Sequence, residues 1–259
     1  MVGNCVHLIG KRKSMSIKKH IPNFITLMNL LAGILSIYLG MKGEIQLSAA
    51  LIFLAAIFDF FDGFLARVLH AKSEIGVQLD SLADMVSFGV APAFVLFHTM
   101  EMALEIQGDF SESYLPFIAF IIPLFSALRL AKFNIDENQS SSFIGMPTPA
   151  VALLLASFPI MILGCLADNK GVYYDIVTNP YFLAGTALVS SFLMVSPLPM
   201  FALKFTSVSW GENQTRYIFI VLSVFLMILL KLAAIPLIIL MYLLLSIVLL
   251  FSKSKLDDA

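Results

Sequence analysis

The sequence predicts an all-α, polytopic bundle of transmembrane helices with about eight spans and both termini cytoplasmic. Three observations carry this. Of 259 residues, 59% are apolar and only 13% are charged. The mean hydropathy is +0.93. The charges gather in short stretches between apolar runs of about 20 residues, the length that crosses a bilayer. A water-soluble domain needs roughly 25% charged residues to cover its surface. In such a chain the position of each charge matters more than the net −1, and nucleic acid is not an expected partner. Cys5 in the basic tail and Cys165 in an apolar run are too few and too differently placed for a disulfide framework or a metal site, and read as free thiols.

The spans are justified in order by their flanks. The first, 21–41, lies between Lys19 and Lys42, and the second, 47–69, between Glu44 and Lys72. The third, 76–99, follows Glu74 and stops before Glu101, and the fourth, 115–130, runs from Glu112 towards Lys132. The fifth, 147–167, opens at Pro147 and stops at Asp168, and the sixth, 181–205, follows Asn179 and Pro180. Spans 217–230 and 232–251 are short and are divided at Lys231, with Pro236 close by, where a tight turn suits the sequence better than a lysine in mid-helix. One long helix there, giving seven spans, is the alternative. With eight spans, Lys11, Arg12, Lys13, Lys18, Lys19, Arg67, Lys72, Arg129, Lys132, Lys204, Arg216, Lys253 and Lys255 fall inside, and only Lys42, Lys170 and Lys231 outside. Segment 1–20 is basic like a signal peptide, but the apolar stretch after it is too long and lacks a small-residue cleavage site. It reads as an interfacial segment lying on anionic headgroups.

Asp59 and Asp62 fall in the second span, Asp80 and Asp84 in the third. An aspartate at the bilayer centre costs about 2.5 to 3.5 kcal/mol on the insertion scale, so something must compensate four of them. Spacings of three and four put each pair on one helix face, and the short 70–75 connection makes the two helices antiparallel neighbours whose acidic faces can meet. Asp62 precedes Lys72 by ten residues, about 15 Å of helix, so the cluster lies below the cytoplasmic surface and within reach of it. Carboxylates facing one cavity cannot all stay ionised without cations. An all-oxygen set with no convergent His or Cys favours Mg or Mn (or Ca) over zinc. Two such ions about 3.5 to 4 Å apart are a standard device for phosphoryl transfer. Gly63 directly follows Asp62, and Ala66 and Arg67 lie one turn away on the same strip, two small residues that admit a flat ring or pyrophosphate and a planar cation for phosphate oxygens. Gly76 and Gly89 offer similar close packing, which in membrane helices also serves ordinary interfaces.

Written out, 59–84 reads D-F-F-D-G-F-L-A-R, eight residues, G-V-Q-L-D-S-L-A-D. It resembles the signature of the CDP-alcohol phosphatidyltransferase family, D-x2-D-G-x2-A-R-x8-G-x3-D-x3-D, at every fixed position. The stretches 22–33 (P-N-F-I-T-L-M-N-L-L-A-G), 79–93 (L-D-S-L-A-D-M-V-S-F-G-V-A-P-A), 129–134 (R-L-A-K-F-N) and 143–150 (F-I-G-M-P-T-P-A) resemble the phosphatidylserine-forming branch of that family. The resemblance implies a membrane enzyme of phospholipid synthesis, in the cell membrane with its site open to the cytoplasm. It would transfer the phosphatidyl group of CDP-diacylglycerol to L-serine, release CMP, and use divalent metal, Mg or Mn, as two ions. It implies that Asp59, Asp62, Asp80 and Asp84 hold metal, with Asp84 also the general base, and that Asn23, Thr26, Gly63, Ala66, Arg67 and Gly76 face the cytidine diphosphate. Residues 21–167 would be the catalytic core, and 168–259 scaffold or a homodimer interface. Glycerol 3-phosphate or inositol phosphate as acceptor, and an archaeal ether-lipid donor, remain alternatives, as does an ion-coupled transporter, since buried aspartates also line ion pathways.

Arg129, Lys132 and Asn134 suit either positive-inside anchoring or an acceptor pocket in which Arg129 meets a carboxylate or phosphate, and Gln78 is a weaker candidate for the same pocket. Met146, Pro147 and Pro149 read as a helix start. Ser81 and Ser87 are expected to bond the backbone one turn before them. His7, His20, His70 and His98 are not expected to bind metal. Trp210, Tyr173, Tyr174, Tyr181 and Tyr217 read as interfacial anchors.

Overall fold

The computed structural model describes residues 20–108, 114–135, 143–167, 172–200 and 210–257. The basic segment 1–19, with its five Lys and Arg, lies outside the described residues, as do Glu112, Lys170 and Lys204. Ten α-helices follow in order: α1 (His20–Met41), α2 (Ile45–Val68), α3 (Glu74–Asp84), α4 (Ala91–Gln107), α5 (Ile121–Ile135), α6 (Thr148–Ala167), α7 (Val172–Val177), α8 (Pro180–Val195), α9 (Trp210–Leu230) and α10 (Ala234–Asp257).

The third expected span is the one most changed. A π-helical turn, Met85–Val90, joins α3 to α4 in a single run, Glu74–Gln107. Its start is set by Ser73, whose Oγ accepts from the Gly76 N–H at 3.1 Å. Pro92 has no N–H to give Phe88, and the wider turn lies immediately before it. The run continues past 99 because Glu101 and Glu105 end the hydropathy window without ending the helix, which stops at the left-handed Gly108. For the same reason α5 continues beyond 130, through Arg129 and Lys132 to Ile135, and α9 starts at Trp210 rather than 217. Helix α8 stops at Val195, ahead of Ser196 and Pro197, well short of the expected 205, and residues 201–205 lie outside the described residues. The short α7 was not expected from hydropathy. Lys231 adopts φ 52° in a 3-10 turn, Lys231–Ala233, which separates α9 from α10 as the tight-turn reading requires.

Among the described residues, five helical segments are long and apolar enough to cross a membrane: His20–Met41, Ile45–Val68, Glu74–Gln107, Leu115–Ile135 and Asn213–Leu230. Shorter apolar helices cover Thr148–Gly164, Pro180–Val195 and Ala234–Leu250. Phe24, Phe60, Val189 and Ile228 are among many large apolar side chains left exposed on the outside, a surface suited to lipid and not to water. The protein is a polytopic all-α membrane bundle.

Two apolar clusters fill its inside. Ala32, Ile52, Ala55, Val95 and Ala152 join α1, α2, α4 and α6, while Leu96, Met100, Ile122, Leu155, Leu183 and Met194 join α4, α5, α6 and α8. Ile239 of α10 belongs to the second cluster, so the C-terminal helices share the core of the helices before them. Small residues allow close approach in the first cluster. A Cβ on Gly33 would collide with Ser87, and Ser36 and Ser48 exchange hydroxyl-to-carbonyl hydrogen bonds (2.8 and 2.6 Å) between α1 and α2. Helix α1 packs broadly on both α2 and α3, whereas contacts between α2 and α3 are sparse. The acidic helices make few backbone contacts with each other, yet their acidic faces meet as the short connection suggested. Both lean on α1, and the space left between them is the site.

Candidate active site

Asp59 and Asp62 come from one turn of α2, and Asp80 and Asp84 from the last turns of α3. Carboxylate oxygens of Asp59, Asp62 and Asp80 all lie within 4.8 Å of one another. Asp84, 9% exposed, lies within electrostatic range of Asp59, Asp80 and Asp62. Among the described residues no basic side chain forms an ion pair with any of the four, and Asp62 Oδ2 and Asp80 Oδ1 are buried with no hydrogen-bond partner. Buried acidic oxygens that converge without a proton donor or a cation fit a divalent ion, and the all-oxygen set selects a hard one.

A cavity of about 380 Å³ opens beside this cluster. Asn23 and Thr26 of α1, Gly63, Ala66 and Arg67 of α2, and Gly76 of α3 all line it, together with Asp62 and Asp80. The structure thus brings together every residue expected to face the nucleotide. At Gly63 no heavy atom beyond its chain neighbours and its own helix backbone lies within 4 Å of where a Cβ would stand, so the helix borders open space there. At Gly76 a Cβ would lie 3.1 Å from Asn23 Oδ1 and crowd the cavity's wall. Lys72 and Ser73, not assigned from sequence, also line it.

A second cavity, about 210 Å³, shares Val77, Asp80 and Phe133 with the first and is lined also by Asp84, Arg129, Asn134 and Thr148 among others. Asp80 therefore borders both spaces. Arg129 is 9% exposed, lies near the Phe133 ring (6.0 Å to its centroid), and has a buried, unpaired Nε. This burial separates it from a solvated anchoring residue. Asn134 and Ser81 hydrogen-bond to each other (3.0 and 3.2 Å), tying the end of α5 to α3, and Ser81 also donates to the Val77 carbonyl as expected.

Other candidates lie elsewhere. Lys132 is exposed and lines a separate cavity of about 430 Å³, between Arg129 and the end of α8. Gln78 is exposed on α3 and lines none of these cavities. Pro147 and Pro149 edge the second cavity, while Met146 is core. Ser87 departs from expectation: its Oγ donates across to the Asn29 carbonyl on α1 (2.9 Å) and not to its own helix. His98 pairs with Glu101 (2.8 Å), away from the acids.

Sequence reasoning missed three residues. Asn29, fully buried in α1, donates from Nδ2 to Asp84 Oδ1 at 3.2 Å. Thr148, also fully buried, lines the second cavity with an unpaired Oγ1. Tyr242 of α10 lies within electrostatic range of Arg129, although it lines neither cavity. Only Asn29 left a signal, as a lone amide in an apolar run.

The model of the CDP-alcohol phosphatidyltransferase family matches residues 19–190, beyond the boundary at 167 and into α8. Among curated proteins, the chain is similar to the CDP-diacylglycerol–serine O-phosphatidyltransferase of Methanocaldococcus jannaschii, 36% identical over 194 residues, covering 71% of this chain and 87% of that protein. The Bacillus subtilis protein of the same name is 35% identical over 179 residues, 69% of this chain and 88% of that one. That of Helicobacter pylori strain J99 is 32% identical over 204 residues, 78% and 79% of the two chains.

Proposed function

Since the chain belongs to the CDP-alcohol phosphatidyltransferase family, we propose that it transfers the phosphatidyl group of CDP-diacylglycerol to L-serine, giving phosphatidylserine and CMP. The observation that carries this reading is the pair of cavities that meet at Asp80, one edged by small residues and Arg67, the other by Asp84 and Arg129. That arrangement suits a nucleotide-linked donor in one cavity and a small alcohol in the other. The names of the similar proteins support serine as that alcohol.

In this reading Asn23, Thr26, Gly63, Ala66 and Gly76 hold the cytidine diphosphate by close backbone approach and polar contacts, and Arg67 meets its phosphate oxygens. Asp59, Asp62 and Asp80, whose oxygens converge, with Asp84 beside them, would hold divalent metal, Mg or Mn, as two ions. Divalent metal held there would supply positive charge to the phosphoryl group and to the departing CMP. Arg129 receives the serine carboxylate and turns its hydroxyl towards Asp84. Asp84 takes the hydroxyl proton as Oγ bonds to the phosphorus carrying the diacylglycerol. The bond from that phosphorus to the CMP oxygen breaks in the same displacement. No separate nucleophile is assigned, so both substrates are bound together during turnover. Eight spans with both termini cytoplasmic place this end of α2 and α3, with Arg67 and Lys72, at the cytoplasmic surface.

The test is CMP release by the purified protein in detergent and lipid with CDP-diacylglycerol and Mn or Mg. Serine, glycerol 3-phosphate, inositol phosphate and no acceptor are compared. Metal-dependent release with serine alone is the expected result. Release with a different alcohol overturns serine, and no release under any condition overturns the enzymatic reading.

A further inference from the structure

The geometry points to Asn29 as a positioning residue that fixes the carboxylate of Asp84, an inference that rests on Asp84 as the base. Asn29 sits mid-way along α1 in an apolar run and is fully buried. An amide placed there is costly unless it is hydrogen-bonded. Its side chain makes one hydrogen bond among the described residues, from Nδ2 to Asp84 Oδ1 at 3.2 Å, and its own Oδ1 has no partner. Its backbone carbonyl accepts from Ser87 Oγ at 2.9 Å. Gly33, one turn further along α1, leaves the room that Ser87 occupies. One residue of α1 thus grips the chain at Asp84 and again three residues later.

The place it grips matters. Asp84 ends α3, and the π turn begins at the next residue. A π turn breaks the regular i to i−4 ladder, so the direction of the Asp84 side chain is not fixed by its own helix alone. The amide from α1 supplies the missing restraint. With Oδ1 engaged, the Asp84 carboxylate cannot rotate freely, and Asp84 borders the cavity of about 210 Å³ in which an acceptor hydroxyl would lie. Asn29 lines neither cavity, so it acts through Asp84 and not on substrate. The chemistry of the donor also fits. A lysine or arginine there would pair with the carboxylate and compete with metal in a cluster that forms no ion pair among the described residues, whereas an amide orients it without adding charge.

Two variants of the full chain test this: Asn29→Leu keeps the branched shape and removes the donor, and Asn29→Ser keeps a short hydroxyl donor. Turnover is measured with whichever alcohol the wild type uses, alongside KM for CDP-diacylglycerol, Mn binding by calorimetry, and the unfolding temperature. Asn29→Leu is expected to lower kcat about 10- to 100-fold, the scale of one hydrogen bond to a charged group. KM for the donor and Mn affinity stay within about threefold of wild type, and Asn29→Ser recovers part of kcat. A kcat for Asn29→Leu within about threefold of wild type overturns the inference. So does a loss of kcat shared equally by both variants and accompanied by loss of Mn binding or of folding. The choice of alcohol by the wild type reports on the acceptor, and turnover of Asp84→Asn on the base, while the ratio of variant to wild type reports on Asn29.

Discussion

Removing one carboxylate from the cluster is expected to stabilise the metal-free protein while destroying its response to metal. Asp62→Asn is the cleanest perturbation, because Asp62 is 5% exposed, its Oδ2 has no partner, and asparagine keeps its shape. Its carboxylate shares a space with those of Asp59 and Asp80, oxygens within 4.8 Å of one another. At an effective dielectric constant of 20, two unit charges at that separation would repel by about 3.5 kcal/mol, an upper bound because proton uptake neutralises part of the metal-free cluster. Water and small rearrangements relieve part of this, leaving a gain of about 1 to 3 kcal/mol when one charge is removed. For a chain of this size that corresponds to a rise in Tm of about 2 to 10 °C. Thermal unfolding in detergent is followed with EDTA and then with excess Mn. Wild type should melt lower than Asp62→Asn in EDTA and rise by several degrees with Mn, since a ligand at 100 times its Kd adds about 2.7 kcal/mol. Asp62→Asn should rise little. If Asp62→Asn melts below wild type in EDTA, or keeps the full Mn response, the unpaired acids are not a metal site.

Asp84→Asn should cut turnover by about 10²- to 10⁴-fold, the range for loss of a general base, while the Mn-induced rise in Tm persists in part through the other three acids. Turnover within tenfold of wild type removes Asp84 as base. Arg129→Leu should raise KM for serine about 10- to 100-fold and leave KM for CDP-diacylglycerol unchanged; an unchanged serine KM places Arg129 outside the acceptor site. Gly63→Leu should fold normally, because nothing beyond its chain neighbours and its own helix backbone stands within 4 Å of the new Cβ, yet push a side chain into the cavity of about 380 Å³. Donor KM should rise by about tenfold or more, and a normal KM would move the nucleotide elsewhere.

The parts of the site that local spacing controls were legible in the sequence. Intervals of three and four residues put Asp59 with Asp62 and Asp80 with Asp84 on shared faces whatever the rest of the chain does. The apolar runs likewise announce helices, since a bilayer leaves the backbone little alternative. What could not be read are relations across the bundle. Asn29 meets Asp84 over 55 residues of separation, and Ser87 bonds to α1 where the local rule sends it to its own helix. Nothing in the period of either helix encodes those meetings. Helix ends were misplaced where charged residues continue a helix out of the apolar layer, as at Glu101, Lys132 and Arg216. Hydropathy measures where the membrane ends, and the backbone stops only at a breaker such as Gly108 or Pro197.

A lipid-linked nucleotide sets a partition problem, and two turns of α2 address both halves of it. At 100° per residue, Asp59, Asp62 and Gly63 occupy one arc of the helix, while Phe60, Phe61 and Phe64 occupy the opposite one. Phe60, Phe61 and Phe64 are 63%, 46% and 44% exposed, with the Phe60 and Phe64 rings stacked at 6.3 Å. The motif that gathers acids on the inside thus presents aromatic carbon to the bilayer on the outside, and insertion and chemistry are separable on one helix. Phe60→Lys puts a charge on the lipid face at a cost of up to about 2.5 to 3.5 kcal/mol of insertion, without entering the acidic cavity. The variant should accumulate less in the membrane fraction, while each inserted molecule keeps the turnover of wild type. Normal accumulation with lost turnover would mean that Phe60 touches the reaction, and that the two faces of α2 are not divided in this way.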